Sequence, residues 1–218
     1  MEKEIKRYFS LILFVIAIIS LTLSVFAFSI YSNMFNLNFY RHDFNERMGS
    51  NDAEFYMNTT VQLFDYLKHQ ETNKLQDGVY TEKETNHMAD VKVLVQNGIA
   101  AMWILLAVSL VLVITLYYLD IKKLAKAFRV SGLIVIGVST ASILAFLNFN
   151  AFFTEFHLIL FSNSNWLLEP YNALIIMFPE GFFIRMGEAI IITSILLGAV
   201  FFCAGKKFNT LEKSKKHK

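Results

Sequence analysis

Four stretches of this chain carry no charged side chain: Tyr8–Tyr40, Val93–Leu119, Val130–Thr154 and Ala189–Gly205. A bilayer core about 30 Å thick takes roughly 20 apolar residues in a helix, and the first three stretches reach that length. The fourth reaches it only by taking in Arg185 and Glu188. Those two fall in its first turns, near the interface, where charge costs far less than at the bilayer centre. Composition agrees: 17% of the 218 residues are charged and the mean hydropathy is +0.45, whereas soluble domains carry about 25% charged residues. The pattern predicts an all-α membrane protein of one domain, with spans over 8–30, 93–119, 130–149 and 185–205. Between them lie an extracytoplasmic cap (31–92), a cytoplasmic loop (120–129), an aromatic interfacial segment (150–184) and a basic tail (206–218).

Lys3, Lys6 and Arg7 precede the first apolar run, and Val25-Phe26-Ala27 offers a small-residue cleavage site, so a secretory signal peptide is the competing reading. The run exceeds the roughly 7–15 residues of a signal core, which favours a retained span. Of the 20 Lys and Arg, 13 fall in the N-terminal stub, in Lys122–Arg129 and in the tail from Lys206. The positive-inside rule puts those three segments, both termini included, in the cytoplasm and the net-acidic Arg41–Lys92 outside. The basic tail reads as a topology signal and a bilayer contact; nothing points to nucleic acid. The single cysteine, Cys203, falls at the cytoplasmic end of the last span and closes no internal disulfide.

In the cap, Phe55, Tyr56, Thr60, Leu63, Phe64 and Leu67 recur at helical spacing within Asp52–His69. Asp77-Gly78 is a turn signal, and Val79 and Tyr80 are short-strand material, which would make the cap mixed α/β. Thr85 and Asn86 are N-cap residue types, placing His87 in the first turn of a long helix with Asp90 three residues on. The aromatic segment holds Pro170 and Pro179 and ten aromatic residues from Phe149 to Phe183. It is too polar to span and too apolar to sit free in water, so it belongs in the interface.

Of five histidines, His217 belongs to the tail, and His42 and His69 sit beside charged neighbours as solvated residues. His157 lies among large rings in Phe152–Phe156, where burial would keep it neutral, and Glu155 is near enough in sequence to orient it in a suitable backbone. His87 would be kept neutral by the helix N-terminus, with Asp90 pulling the other way or fixing its tautomer. If their two spans are adjacent, the two imidazoles meet at one depth, as acid–base chemistry on a lipid ester or amine requires. A metal site with Asp90 or Glu155 is the competitor, but no close His-x-x-x-His or Cys pair supports it. G-x-S-x-G is absent too. Arg185 and Glu188, at i and i+3, read either as an ion pair or as a lipid-headgroup contact.

Three stretches, Glu84–Val91, Phe156–Trp166 and Pro170 followed by Leu174–Phe183, resemble the signature segments of the bacterial lipoprotein intramolecular transacylase family. The four spans and outer cap are similar as well; the cap between Arg41 and Thr81 carries least of the likeness. The resemblance implies a transferase that moves the sn-2 acyl chain of a diacylglyceryl lipoprotein to the α-amino group of its N-terminal cysteine, giving the lyso-form. It implies catalysis by two histidines, here His87 and His157, with no cofactor or metal, and lipoproteins in the bilayer as partners. Asp90, Glu155, Asn163, Asn165, Trp166, Glu180 and Arg185 are the expected supporting or substrate-binding residues, with Asn163, Asn165 or Arg185 at the oxyanion. Two other readings stand beside it: a metal-dependent or histidine-assisted lipid hydrolase, and a non-catalytic assembly factor or sensor whose cap binds a partner.

Overall fold

A computed structural model describes residues 2–69, 75 and 78–216. His217, Lys218 and Asp77, which entered the reading above, lie outside the described residues. Eight α-helices follow in order: α1 (Glu2–Met34), α2 (Leu37–Arg47), α3 (Ser50–Lys68), α4 (Glu82–Leu119), α5 (Ile121–Ser142), α6 (Phe149–Leu160), α7 (Ala173–Met177) and α8 (Glu180–Lys216). A 3-10 segment, Ile143–Asn148, links α5 to α6. Among the described residues, four helical stretches each contain a run long and apolar enough to cross a membrane: Arg7–Met34, Glu82–Leu119, Ile121–Leu160 and Glu180–Phe208.

No strand occurs among the described residues, so the described part of the cap is not the mixed α/β that Val79 and Tyr80 suggested. Val79 and Tyr80 belong to a turn and bend instead. Gly78, with φ +82°, occupies the left-handed region that glycine enters at no steric cost.

The helices pack as two compact units. The first comprises residues 1–30, 100–143 and 190–218. Its core is Ala17, Leu21, Leu112, Leu116, Leu124 and Ala127, with Phe14, Phe128, Phe201 and Phe208 packed around it. Polar side chains inside this unit find one another. Ser109 Oγ lies 2.6 Å from Ser20 Oγ and 2.9 Å from Ser24 Oγ, and Ser131 Oγ donates to the Ile18 carbonyl at 3.2 Å. Small polar residues hold membrane helices together in this way, because lipid offers their hydroxyls no alternative partner. Gly132 and Gly198 set the approach of α5 to α8: a Cβ on Gly132 would run into the Gly198 carbonyl and stand 2.8 Å from the Phe202 nitrogen. Trp103, Ile104, Val111, Leu119, Leu196 and Val200 are each at least 60% exposed, an apolar exterior that suits lipid rather than water.

The second unit comprises residues 31–99 and 144–189. Leu63, Leu67, Leu75, Met88, Val95 and Leu174 form its core, with Phe35, Tyr80 and Phe178 against it. A mat of edge-to-face rings, Phe35–Phe64, Tyr40–Phe64, Tyr40–Phe178 and Phe39–Phe182, joins α2, α3 and the α7–α8 corner. Such pairs add about 0.5–1.5 kcal/mol each beyond their buried area. The inward face of α3 is Ala53, Met57, Thr59, Thr60, Leu63, Phe64 and Leu67. Phe55, which the spacing had counted on that face, is exposed.

Candidate active site

The site begins with the first turn of α4. Thr81, not Thr85 or Asn86, caps this helix: its carbonyl receives the Thr85 N–H at 2.9 Å, and its Oγ receives the Glu84 N–H at 3.3 Å. Glu84 returns the favour by accepting from Thr81 N at 2.8 Å, the reciprocal arrangement of a capping box. The same carboxylate, 1% exposed, also accepts from Thr81 Oγ (2.9 Å), Asn172 Nδ2 (3.2 Å) and the Leu174 N–H (2.8 Å). A buried charge with this many donors is satisfied rather than stranded. It clamps the start of α4 to the start of α7, and His87 follows one turn later.

His157 is on α6, 7% exposed. Its Nδ1 lies 2.7 Å from the Phe153 carbonyl oxygen one turn back. A carbonyl only accepts, which assigns the proton to Nδ1 and leaves the Nε2 lone pair free in the neutral ring. The ring is boxed by Trp166, stacked at 4.8 Å between centroids, with Phe153 at 4.1 Å, Phe156 at 5.4 Å and Phe161 at 5.6 Å. His87 stands beside it, centroids 6.0 Å apart, and meets Phe161 edge-on at 5.1 Å. His87 Nδ1 is buried and has no hydrogen-bond partner among the described residues.

Both histidines lie outside the uncharged runs, His87 before Val93 and His157 after Thr154. Burial, with His157 adding repulsion and Asp90 opposing, pushes the His87 imidazolium pKa down to about 4. Burial also lowers that of His157, against the hydrogen bond to Phe153. At neutral pH both rings are uncharged. The cause at His87 is not the helix N-terminus as expected, because capping at Thr81 puts this residue in the second turn, where the macrodipole has faded.

The other expected residues divide. Asp90, on α4, accepts from Asn163 Nδ2 at 2.8 Å, and the Asn163 side chain accepts the Asn165 N–H at 3.0 Å in an Asx turn. Asp90 and Asn163 edge an open cleft of about 300 Å³ lined also by Val93, Leu94, Leu160 and Phe161 and by the polar Asn97 and Ser162. Phe161 thus touches the cleft and both imidazoles. Glu155 does not orient His157: α6 is helical there, and residues two apart face away from each other. The Phe153 carbonyl performs that task. Glu180 is exposed at the start of α8, and Glu188 is exposed on it. Arg185 pairs with Asp43 rather than Glu188. Asp43, 2% exposed, also accepts from Arg47 Nε at 2.7 Å, and Arg47 Nη2 reaches the Met177 carbonyl at 2.9 Å. His42 and His69 are exposed beside Glu46 and Asp65. Cys203 is free and exposed.

Sequence reasoning passed over Glu84, Asp43 and Phe161. Thr81-x-x-Glu84 ahead of an apolar run is a legible capping signal; Asp43 carried none, since its partner Arg185 is 142 residues away. Among the described residues, no group of three or more His, Cys, Asp and Glu side chains is arranged to hold a metal ion.

Four helices long and apolar enough to cross a bilayer, with two neighbouring imidazoles among aromatic rings, define a membrane-integral protein. The family described as lipoprotein intramolecular transacylase Lit matches residues 9–183. The chain belongs to this family of membrane enzymes. In fold it is similar to the membrane-integral lipoprotein intramolecular transacylase Lit from Bacillus cereus, with TM-score 0.85 and 19% identity over 95% of this chain and 99% of that one. Two variants of that protein, a histidine-to-arginine and a histidine-to-alanine replacement, align with TM-scores of 0.80 and 0.82. They are 19% and 17% identical over 98% of this chain, and 98% and 100% of their own chains are covered. Comparison with curated proteins finds no match.

Proposed function

We propose that this enzyme transfers the sn-2 acyl chain of a diacylglyceryl lipoprotein to the α-amino group of the same molecule's N-terminal cysteine, with His87 and His157 as the reacting side chains. The observation that carries this reading is the pair of neutral imidazoles with centroids 6.0 Å apart, His87 half-buried and His157 buried with its tautomer set by the Phe153 carbonyl. The positive-inside distribution of lysines and arginines supports termini in the cytoplasm and a site at the outer face of the plasma membrane.

The chemistry needs no protein nucleophile, because amine and ester belong to one substrate. Attack closes a ring of N, Cα, Cβ, S, two glycerol carbons, the ester oxygen and the carbonyl carbon. Medium rings close unfavourably, so holding the substrate folded is a large part of catalysis. Rings around His157 give walls suited to that confinement. The ammonium loses one proton to become a nucleophile and a second as the N–C bond forms. His157 Nε2 takes the second and returns it to the glycerol oxygen as the C–O bond breaks. The remaining proton goes to solvent. His87, too poor a base to charge, donates an N–H to the developing oxyanion, a role that a neutral imidazole fills without giving up its proton.

The test is turnover of a synthetic diacylglyceryl-cysteinyl peptide in liposomes. His157→Ala and His87→Ala are each expected to lose roughly 10²–10⁴-fold in kcat, with thermal unfolding showing that both fold. Folded variants that turn over at the wild-type rate contradict the two-histidine assignment. Release of free fatty acid instead of N-acyl product identifies a hydrolase.

A further inference from the structure

The transacylase reading leaves the substrate's cation without a partner, and the cleft beside the histidines holds an anion. A lipoprotein's N-terminal α-amino group arrives largely as an ammonium at neutral pH. Drawing it out of water into a cleft whose other polar groups, Asn97, Ser162 and Asn163, are uncharged is costly unless a negative group receives it. Among the described residues Asp90 is paired with no cation. Its one hydrogen bond is a donation from Asn163 Nδ2 to Oδ2 at 2.8 Å. That bond orients the carboxylate without neutralising it. Asp90 lies one turn beyond His87 on α4, close enough for its charge to bear on that ring. Its neighbours in the cleft are the apolar Val93, Leu94, Leu160 and Phe161 and the uncharged polar Asn97, Ser162 and Asn163, and Phe161 is also the ring against which both histidines pack.

We infer that Asp90, held by Asn163, receives the α-amino group of the substrate and selects for a free amine, handing the nucleophile to the imidazole pair. The cleft's apolar walls, Val93, Leu94 and Leu160, then lie where lipid attached to the same cysteine enters. The inference rests on the transacylase reading for the identity of the cation. It adds a specificity determinant which acts before any bond is made.

Binding without turnover tests it directly. The probe is a dialkylglyceryl-cysteinyl peptide, whose ether links cannot transfer a chain, prepared with a free and with an acetylated amine. Wild-type protein in nanodiscs is expected to bind the free amine roughly tenfold or more tightly than the acetylated form, the scale of a charge-assisted hydrogen bond. Asp90→Asn keeps an oxygen for Asn163 and is expected to bind the two forms alike. Asp90→Glu is expected to restore much of the preference. With the ester substrate, Asp90→Asn is expected to raise KM more than it lowers kcat. Overturning results are a wild-type protein indifferent to acetylation, or a folded Asp90→Asn protein with wild-type preference. A separate readout, N-acyl product from the ester substrate, reports on the reaction itself: product with an indifferent Asp90 site removes this inference alone, and amine preference without product removes the reaction.

Discussion

At the scale of single residues, the account turns on two rings kept neutral by burial. For His87 the sign of the consequence follows from linkage. The folded protein binds its proton only near pH 4, the unfolded chain near the ordinary value of 6.5. Between those values the unfolded state holds more protons, so stability falls as the pH drops from about 6.5 toward 4. The lowered value at His157 acts in the same direction. A series of thermal unfolding midpoints over this range is expected to show the decline, and His87→Gln, which cannot take up the proton, is expected to flatten it; an unchanged slope in that variant contradicts the burial account. Both histidines were legible in the sequence because each sits just outside an uncharged run, one entering and one leaving. What orients them was not legible. The acceptor for His157 is a backbone carbonyl that reaches Nδ1 only because α6 stays helical through Phe153, and a short-range alternative, Glu155, was the visible choice. Arg185 tells the same story: Glu188 is near in sequence, yet Asp43, far away, is buried and holds two guanidinium groups.

At the scale of elements, the decisive contact is the Glu84 clamp, which fixes the first turn of α4 and the start of α7 with one carboxylate. Removing it leaves the Leu174 N–H without its acceptor in a buried setting and the Asn172 side-chain amide with only its 3.4 Å contact to Thr81 Oγ. Glu84→Ala is expected to destabilise the protein by roughly 1–3 kcal/mol for the buried Leu174 donor left unsatisfied and to lower turnover with it, since His87 stands one turn away. Glu84→Gln retains an acceptor oxygen and is expected to cost less. A thermal midpoint for Glu84→Ala equal to the wild-type value contradicts the clamp. The helices themselves were readable from apolar runs, but their ends were not. Apolarity marks what a bilayer or core accepts, whereas ends are set by capping: Thr81 for α4, Asn36 for α2 with its Oδ1 receiving the Asn38 N–H at 3.2 Å, and Asp120 for α5 with its Oδ1 receiving the Lys123 N–H at 3.1 Å. The expected strand failed for a related reason. Two β-prone residues, Val79 and Tyr80, follow a left-handed glycine and pair with no other strand among the described residues, and a lone extended pair has no ladder to join.

For the whole molecule, the all-helical membrane architecture was legible because bilayer thickness leaves few options for long uncharged runs. The family followed from three short segments, and the structure brings the candidate site residues of two of them together: His87 and Asp90 from one, His157, Phe161, Asn163 and Trp166 from the next. Part of the third closes on Glu84 through Asn172 and Leu174. The central claim is that one acyl chain changes its attachment within one molecule, which leaves the mass unaltered. The most direct measurement therefore uses a diacylglyceryl-cysteinyl peptide with a deuterated sn-2 chain, mixed with an unlabelled substrate of different peptide sequence. After exposure to the enzyme in liposomes, tandem mass spectrometry locates the label. The account predicts deuterated acyl on the cysteine nitrogen of the labelled peptide alone, and none when His157→Ala replaces the wild type. Label on the other peptide's nitrogen, or an amine left free in the presence of active, folded protein, contradicts it.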